Sequence, residues 1–299
     1  MKLFNEKSYQ LHKEHLDSNI DENLLFNWKE KDNVDYWRHK NMYDNLLPLI
    51  SSYPDASWLT VGDGRYGTDA NYLISNGVKN VLATDISESL LKIAKIDNFI
   101  NDYKIENAES LTFEDNSFDF VLCKEAYHHF PRPSIALYEM LRVAKKGVIL
   151  IEPLDKNINF NKRGILPKII QSICNILILK FKGLNNYENF ESVGNYIFTT
   201  SEREINKIAL ALNLKYTFFK KQNDCYFEGT ENEMIIELGP VYKKILRRLR
   251  YLDFLCKIGI SQYGLLTSII MKEKPNNDTI KMLNTSKYDS YILPDNPYF

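Results

Sequence analysis

The sequence lacks several features that mark special classes of protein. It has only four cysteines in 299 residues, and none of them form a C-x-x-C pair, which argues against a zinc site or a disulfide framework. No run approaches the roughly 20 apolar residues that a membrane-spanning helix needs. The first residues contain no apolar segment of the kind found in secretion signals. We therefore expect a cytoplasmic protein without a membrane span.

An excess of charge of one sign is also missing. The chain carries 38 basic and 39 acidic residues, for a formal net charge of −1. No overall electric field would attract nucleic acid or anionic lipid, and we expect no nucleic-acid partner. Apolar residues make up 44% of the chain, with 19 Tyr and 16 Phe, which is enough for a sizeable folded core.

Short apolar runs alternate with helical segments in the first half of the chain. Nearly continuous apolar character is typical of parallel strands that helices cover on both faces. Such runs lie at 58–61, 80–84, 118–123 and 147–151, and helical segments lie at 68–76, 87–99 and 133–144. This order, with short connections, predicts a doubly wound α/β sheet. Two more strands are expected at 215–220 and 265–271.

The remaining segments divide the chain around this alternation. A helical pattern over 36–50 predicts a leader that packs on the core, and a capping sequence at 200–204 predicts the start of a helix. The expected divisions are a helical leader (1–50), an α/β domain (51–275) with helical insertions at 156–195 and 231–262, and a tail (276–299). The Pro, Asn and Asp of the tail favour an extended arm or no packing at all.

A glycine-rich turn follows the first apolar run. The sequence Gly62-Asp-Gly-Arg-Tyr-Gly67 lies between a strand and a helix, where backbone N–H groups can approach a ligand. An ordinary turn is the simpler alternative, because the motif alone is weak. Asp85 ends the next run, where an acidic residue can accept hydrogen bonds from ribose hydroxyls. Alternatively, Asp85 only caps the following helix.

The stretch from 106 to 130 carries the most specific pattern. It reads ENAESLTFEDNSFD, then a strand, then KEAYHHF, and the later run MLRVAKKG precedes a strand that ends in Glu152-Pro153. From about 57 to 153 this order of motifs resembles the class I S-adenosylmethionine-dependent methyltransferase family. The resemblance implies S-adenosylmethionine as cofactor. It also implies a mostly parallel, seven-stranded Rossmann-like sheet with an antiparallel last strand and helical cap insertions.

The resemblance also implies positions for the cofactor-binding residues. The methionine and ribose end would meet Gly62, Asp63, Gly64 and Gly67, and Asp85 would bind the ribose hydroxyls. The adenine would meet Ile86, Asn107 and Ala108, and the methionine portion would lie beside Lys124 and Glu125. From the residues alone, Asn107 could simply close a turn, and Lys124 and Glu125 could form a solvated pair. Thr60 stands where the family usually has an acidic residue, and the glycine turn holds one extra residue.

Two adjacent histidines are candidate catalytic bases. Methyl transfer from a sulfonium is an in-line displacement that needs alignment, exclusion of water and, for a hydroxyl acceptor, a base. His128 and His129 follow the fourth strand at the edge where open α/β folds bind ligands. The alternative is structural, because the family keeps a His-His turn in members with different acceptors.

The basic segment 241–250 is a candidate for recognising the acceptor. Lys243 and Arg247 could bind a phosphate, a nucleotide-sugar diphosphate or a carboxylate, or they could lie on a solvated helix face. We expect methylation of a small molecule, first of all a sugar or metabolite hydroxyl, with phosphorylated and nucleotide-linked acceptors included. The competing hypotheses are an inactive cofactor-binding scaffold and an NAD-dependent oxidoreductase. The sequence indicates no oligomeric state.

Overall fold

The computed structural model describes residues 7–18, 27–155 and 196–298. The apolar helix predicted at 167–181, within the insertion 156–195, lies outside the described residues. The described part is built on a sheet of eight strands. The strands are β1 (Ser57–Val61), β2 (Asn80–Asp85), β3 (Tyr103–Ile105), β4 (Phe118–Lys124), β5 (Ala144–Pro153), β6 (Tyr216–Gln222), β7 (Leu265–Met271) and β8 (Asp289–Ile292).

The sheet order is β3-β2-β1-β4-β5-β7-β6-β8. Strands β1 to β5 are parallel, β7 runs antiparallel to β5 and β6, and β8 runs antiparallel to β6. The predicted mostly parallel, Rossmann-like α/β fold is confirmed, with one more strand than predicted because the tail adds β8. The strand order reverses at β1, which lies between β2 and β4, and ligands of open α/β sheets bind at such a switch point.

Helices surround the sheet and match most of the predicted segments. They are α1 (Lys7–Ser18), α2 (Val34–Tyr43), α3 (Leu47–Ser52), α4 (Thr68–Ser75), α5 (Ser89–Ile96), α6 (Pro133–Val143), α7 (Glu202–Ala211), α8 (Pro240–Lys257) and α9 (Asn277–Thr285). The predicted cap of α7 is present, since the Ser201 side chain accepts a hydrogen bond from the N–H of Glu204. None of the described helices combines the length and apolarity needed to cross a bilayer.

Successive residues of the central strands point to opposite faces of the sheet, and both faces are buried. In β1, Trp58 lies in one apolar cluster and Leu59 in the other. Met42, Leu46 and Leu49 of the leader are fully buried in the cluster of Trp58. Because each fully buried large apolar side chain contributes about 1.5–3 kcal/mol, the leader is a structural part of the α/β core.

The C-terminal tail differs from the sequence expectation. It forms α9 and the edge strand β8, rather than an extended arm or an unpacked end. The side chain of Asn276 caps α9 by accepting the N–H of Thr279, and Leu283 is completely buried. The Tyr288 hydroxyl donates a buried 2.9 Å hydrogen bond to the backbone oxygen of Asn45. Local Pro and Asn content hid this packing, which depends on contacts with distant segments.

The Tyr288 hydrogen bond gives a test of how strongly the tail is held. Tyr288→Phe removes the donor and leaves a buried carbonyl without it, so we expect the free energy of unfolding to fall by about 1–2 kcal/mol. Urea unfolding followed by circular dichroism measures the change. Tyr298→Phe is the matched control, since Tyr298 is 93% exposed. Equal stability of the two variants would contradict a packed tail.

Candidate functional site

A cavity of about 550 Å³ lies at the carboxyl ends of β1, β2, β3 and β4. We call it the sheet-edge cavity. Several of the predicted site residues line it: Gly62, Gly64, Asp85, Ile86, Asn107, Ala108, Glu125 and His129. Loops that follow four different strands therefore meet at one wall, as the parallel arrangement requires. The other predicted residues, which are Asp63, Gly67, Lys124, His128, Lys243 and Arg247, lie outside this wall.

The glycine turn approaches its neighbours too closely for side chains. Gly62 has φ of 78°, and a Cβ placed there would lie 2.4 Å from the Cβ of Ala126. At Gly64 a Cβ would lie 2.7 Å from Oδ2 of Asp85. Real Cβ atoms do not come so close, so both glycines are required by contacts with the ends of β4 and β2. The turn thus does more than reverse the chain, because it closes against Asp85.

Asp85 forms a local turn with Ser87 and does not cap α5, which begins at Ser89, so its role toward ribose stays a prediction. Its Oδ1 accepts a 2.9 Å hydrogen bond from the N–H of Ser87, and the carboxylate also lines the cavity. Burial raises the pKa of Asp85 to about 6, although backbone N–H groups of Gly64, Ile86 and Ser87 oppose the shift. A buried carboxylate at a cavity wall is well suited to accept hydrogen bonds from a pair of hydroxyls.

Asp63 holds the turn together instead of lining the cavity. Its carboxylate accepts hydrogen bonds from the Thr60 hydroxyl at 2.8 Å and from the N–H groups of Asp69 and Ala70 at 3.0 and 2.9 Å. It therefore caps the start of α4. Burial and the nearby Asp69 raise the pKa of Asp63. Asp63 thus supplies a buried acid near the position where Thr60 replaces the acidic residue usual in the family.

The loop after β3 supplies both a turn and a binding wall. The Asn107 side chain accepts the N–H of Glu109 at 3.0 Å, so it closes a turn, and Asn107 and Ala108 also line the cavity. Glu109 accepts hydrogen bonds from the backbone and side chain of Arg132, and from the Tyr9 hydroxyl at 2.5 Å. The loop is therefore fixed to the start of α6 and to α1.

The two predicted catalytic histidines occupy different environments. His128 Nδ1 lies 2.6 Å from Oε2 of Glu152, which is completely buried. The other carboxylate oxygen of Glu152 accepts the N–H groups of Ala126 and Tyr127, both at 3.0 Å. His128 is thus tied to the base of the turn, whereas His129 reaches the cavity wall.

Helix α1 contributes residues that the sequence did not identify. Tyr9 and His12 line the cavity, and the His12 ring meets the His129 ring edge-on at 5.8 Å. Asp17 accepts hydrogen bonds from the hydroxyls of Ser87 and Ser89, at 2.6 and 2.5 Å. These contacts make α1 part of the cavity wall and tie it to the residues after β2. The leader carried no motif that could have revealed them, because they depend on tertiary packing.

Lys124 and Glu125 form part of a larger buried group. Lys124 is only 7% exposed, and its ammonium lies 2.8 Å from the Glu125 carboxylate and 2.9 Å from Nδ1 of His39 in α2. The alternative of a solvated pair is therefore wrong. Lys243 and Arg247 are exposed on α8, so their role in acceptor binding stays a prediction.

Comparison with known proteins identifies the segment that forms this wall. Residues 59–151 match a sequence model described as a methyltransferase domain. The chain is 32% identical over 133 residues to the ubiquinone/menaquinone biosynthesis C-methyltransferase of Pasteurella multocida, covering 39% of this chain and 49% of that one. It is 34% identical over 106 residues to the demethylmenaquinone methyltransferase of Renibacterium salmoninarum, covering 36% and 44%.

The chain thus spans about half the length of the curated relatives that it matches. The fold is similar to the crystal structure of the YcgJ protein from Bacillus subtilis, with a TM-score of 0.50 and 19% identity, covering 79% of this chain and 100% of that one. The resemblance to the class I S-adenosylmethionine-dependent methyltransferase family that the sequence predicts is confirmed over residues 59–151, which match the methyltransferase domain.

Proposed function

We propose that the protein is an S-adenosylmethionine-dependent methyltransferase that acts on a small molecule. The contact between Gly64 and the buried carboxylate of Asp85 carries this proposal, because it places a hydroxyl-binding acid beside backbone that no side chain covers. It lies at the topological switch point, where such ligands bind. Bound S-adenosylmethionine would supply the electrophilic methyl group, and the residues of the chain would orient it and exclude water.

The order of the strands suggests how the cofactor would lie. Asn107 and Ala108 follow β3, Asp85 ends β2, Gly62 follows β1 and Glu125 follows β4. Neighbouring strands are about 4.8 Å apart, so this edge extends over about 14 Å. Adenine would lie at β3, ribose at β2, and the amino-acid end between β1 and β4.

The acceptor would bind beside His129. Its imidazole, with His12 opposite, lines the part of the wall that also holds Phe130 and Pro131. A sugar or metabolite hydroxyl would fit this mixture of apolar surface and imidazole, and His129 could accept the hydroxyl proton. His128 would position the turn through Glu152. The exposed Lys243 gives no support to an anionic acceptor.

A second candidate acceptor is a quinol carbon. Both of the relatives named above carry names that refer to ubiquinone or menaquinone, and one of the two names specifies C-methylation. An assay with S-adenosylmethionine labelled in its methyl group distinguishes the two classes of acceptor. A labelled quinol partitions into organic solvent, whereas a labelled sugar stays in water. An inactive scaffold would bind the cofactor and transfer no label, and an NAD-dependent oxidoreductase would bind NAD instead.

The glycine turn provides the first test. Gly64→Ala would push the new methyl group into the Asp85 carboxylate, so we expect the affinity for S-adenosylhomocysteine to fall at least about tenfold. Isothermal titration measures the affinity. Gly264→Ala is the control, because a Cβ there meets no atom within 4 Å. Unchanged binding by the Gly64 variant, or binding of NAD alone by the native protein, would refute the proposed site.

Asp85 predicts a pH dependence of binding. With a pKa of about 6 in the free protein, only about a tenth of the molecules carry the carboxylate at pH 5. Because the ionised form accepts both ribose hydroxyls, affinity for S-adenosylhomocysteine should be about tenfold lower at pH 5 than at pH 8. Asp85→Asn should bind weakly at both values. An equal pH response of the native and variant proteins would exclude this role.

Asp85 should also lower the stability of the free protein. The pKa of this carboxyl is raised from 3.8 to about 6 in the folded protein. The free energy of unfolding therefore falls by about 3 kcal/mol in total as the pH rises through that interval. Asp85→Asn removes this penalty, so the ligand-free variant should resist urea better at pH 8 while binding the cofactor less well. A variant that loses both stability and binding would indicate a purely structural role.

Methyl-transfer assays can distinguish the roles of the two histidines. With labelled S-adenosylmethionine and an extract of the host, His129→Gln should slow transfer about 100-fold or more, while S-adenosylhomocysteine still binds. His128→Gln should lower the unfolding midpoint in addition to slowing transfer, because it removes the imidazole that contacts one oxygen of the buried Glu152. Full transfer by the His129 variant would exclude it as the base.

A further inference from the structure

Arg65 holds a special position on the wall of the sheet-edge cavity. Of the described residues that line the cavity, it is the only lysine or arginine. Four carboxylates share that wall, namely Asp85, Glu106, Glu109 and Glu125. Among the described lining residues, this guanidinium is therefore the permanent cation with which an anionic group in the cavity would pair. Arg65 also lines a second, much smaller cavity beside α2, so it stands between the two spaces.

Behind Arg65 lies a group of alternating charges, which we call the α2 charge cluster: Asp35, His39, Arg65, Lys124 and Glu125. The Arg65 guanidinium contacts the Asp35 carboxylate and, at 2.5 Å, Nε2 of His39. The Lys124 ammonium contacts Nδ1 of His39 and the Glu125 carboxylate. Helix α2 thus joins the turn after β1 to the turn after β4.

The His39 ring cannot accept hydrogen bonds from both of its cationic neighbours. Burial, together with the charges of Lys124, Arg65 and Arg38, lowers the pKa of His39 well below its usual value, so the ring is neutral. A neutral imidazole has one accepting nitrogen, yet both of its nitrogens face cationic donors. One of the two cations therefore meets an N–H. In addition, Nε of Arg65 is buried and has no acceptor among the described residues.

An anion in the sheet-edge cavity would pair with the Arg65 guanidinium, which lines that cavity, and the position indicates which anion. Arg65 follows β1 and Glu125 follows β4, at the end of the sheet edge opposite Asn107, which follows β3. If the adenine and ribose lie at β3 and β2, this end receives the amino-acid portion of the cofactor. That portion is a zwitterion, with one carboxylate and one ammonium group.

We propose that Arg65 binds the α-carboxylate of the cofactor and Glu125 its α-ammonium, and that Asp35 and His39 of α2 hold Arg65 in position. The proposal deepens the proposed function and rests on it. It makes the cluster a specificity determinant, since a nucleoside that keeps the adenosine and sulfur but lacks the amino acid gains nothing from it. The positioning residues lie outside the segment that matches the methyltransferase domain.

The test compares two ligands that differ only in this portion. S-adenosylhomocysteine carries the amino acid, and 5′-methylthioadenosine lacks it. Isothermal titration of the native chain should show tighter binding of S-adenosylhomocysteine than of 5′-methylthioadenosine. Arg65→Gln should lower that affinity about 10- to 100-fold, the range expected for a lost charge-assisted pair, and leave the affinity for 5′-methylthioadenosine within twofold. Arg65→Lys should restore part of the loss, because it keeps the charge.

The control is Arg203→Gln, which makes the same change at an exposed position on α7 and should alter neither affinity. A structural role for Arg65 would weaken both ligands equally and lower the unfolding midpoint, and that result would overturn the proposal. Equal affinities of the native protein for the two ligands would overturn it as well, while leaving the proposed function intact. If neither ligand bound, the proposed function would fail together with it.

Discussion

The close approach of Gly64 to the Asp85 carboxylate sets the geometry at the centre of the molecule. The first strand can turn into α4 only if the chain passes this carboxylate without a side chain. Burial raises the pKa of Asp85, while the backbone N–H of Gly64 opposes that shift. Under the proposed function, packing and binding use one feature. The turn passes close to the acid, and the buried acid is pre-arranged for hydroxyls at a cost in stability.

Glu152 has a similar organising effect on the other side of the switch point. From the end of β5 it accepts two backbone N–H groups of the turn after β4, and it also contacts His128. This anchoring fixes a turn that begins with Glu125 at φ of 49°, a conformation that a residue with a side chain adopts only under constraint. A fully buried carboxylate therefore holds Glu125 and His129 at the cavity.

Sequence patterns predicted the sheet and one half of the site well. Continuous apolar runs identified six strands, because strands buried on both faces must be apolar. They missed β3, which is three residues long and largely exposed, and β8, which is polar and forms the sheet edge. The place of Asp85 at the sheet edge could be predicted because it ends an apolar run, whereas Asn107 came from the family resemblance, since the strand before it was not predicted. Tyr9, His12 and His39 could not be predicted, since their positions depend on how the leader packs against loops distant in the chain.

The leader has a consequence for how relatives of this chain can diverge. Asp35 and His39 of helix α2 contact Arg65, which lines the cavity, and neither residue belongs to the segment that matches the methyltransferase domain. That segment can stay constant while the leader changes. Two chains with the same adenine-binding loop could therefore evolve different tolerance for altered amino-acid ends of the cofactor, and alignment of the matching segment alone would not reveal the difference.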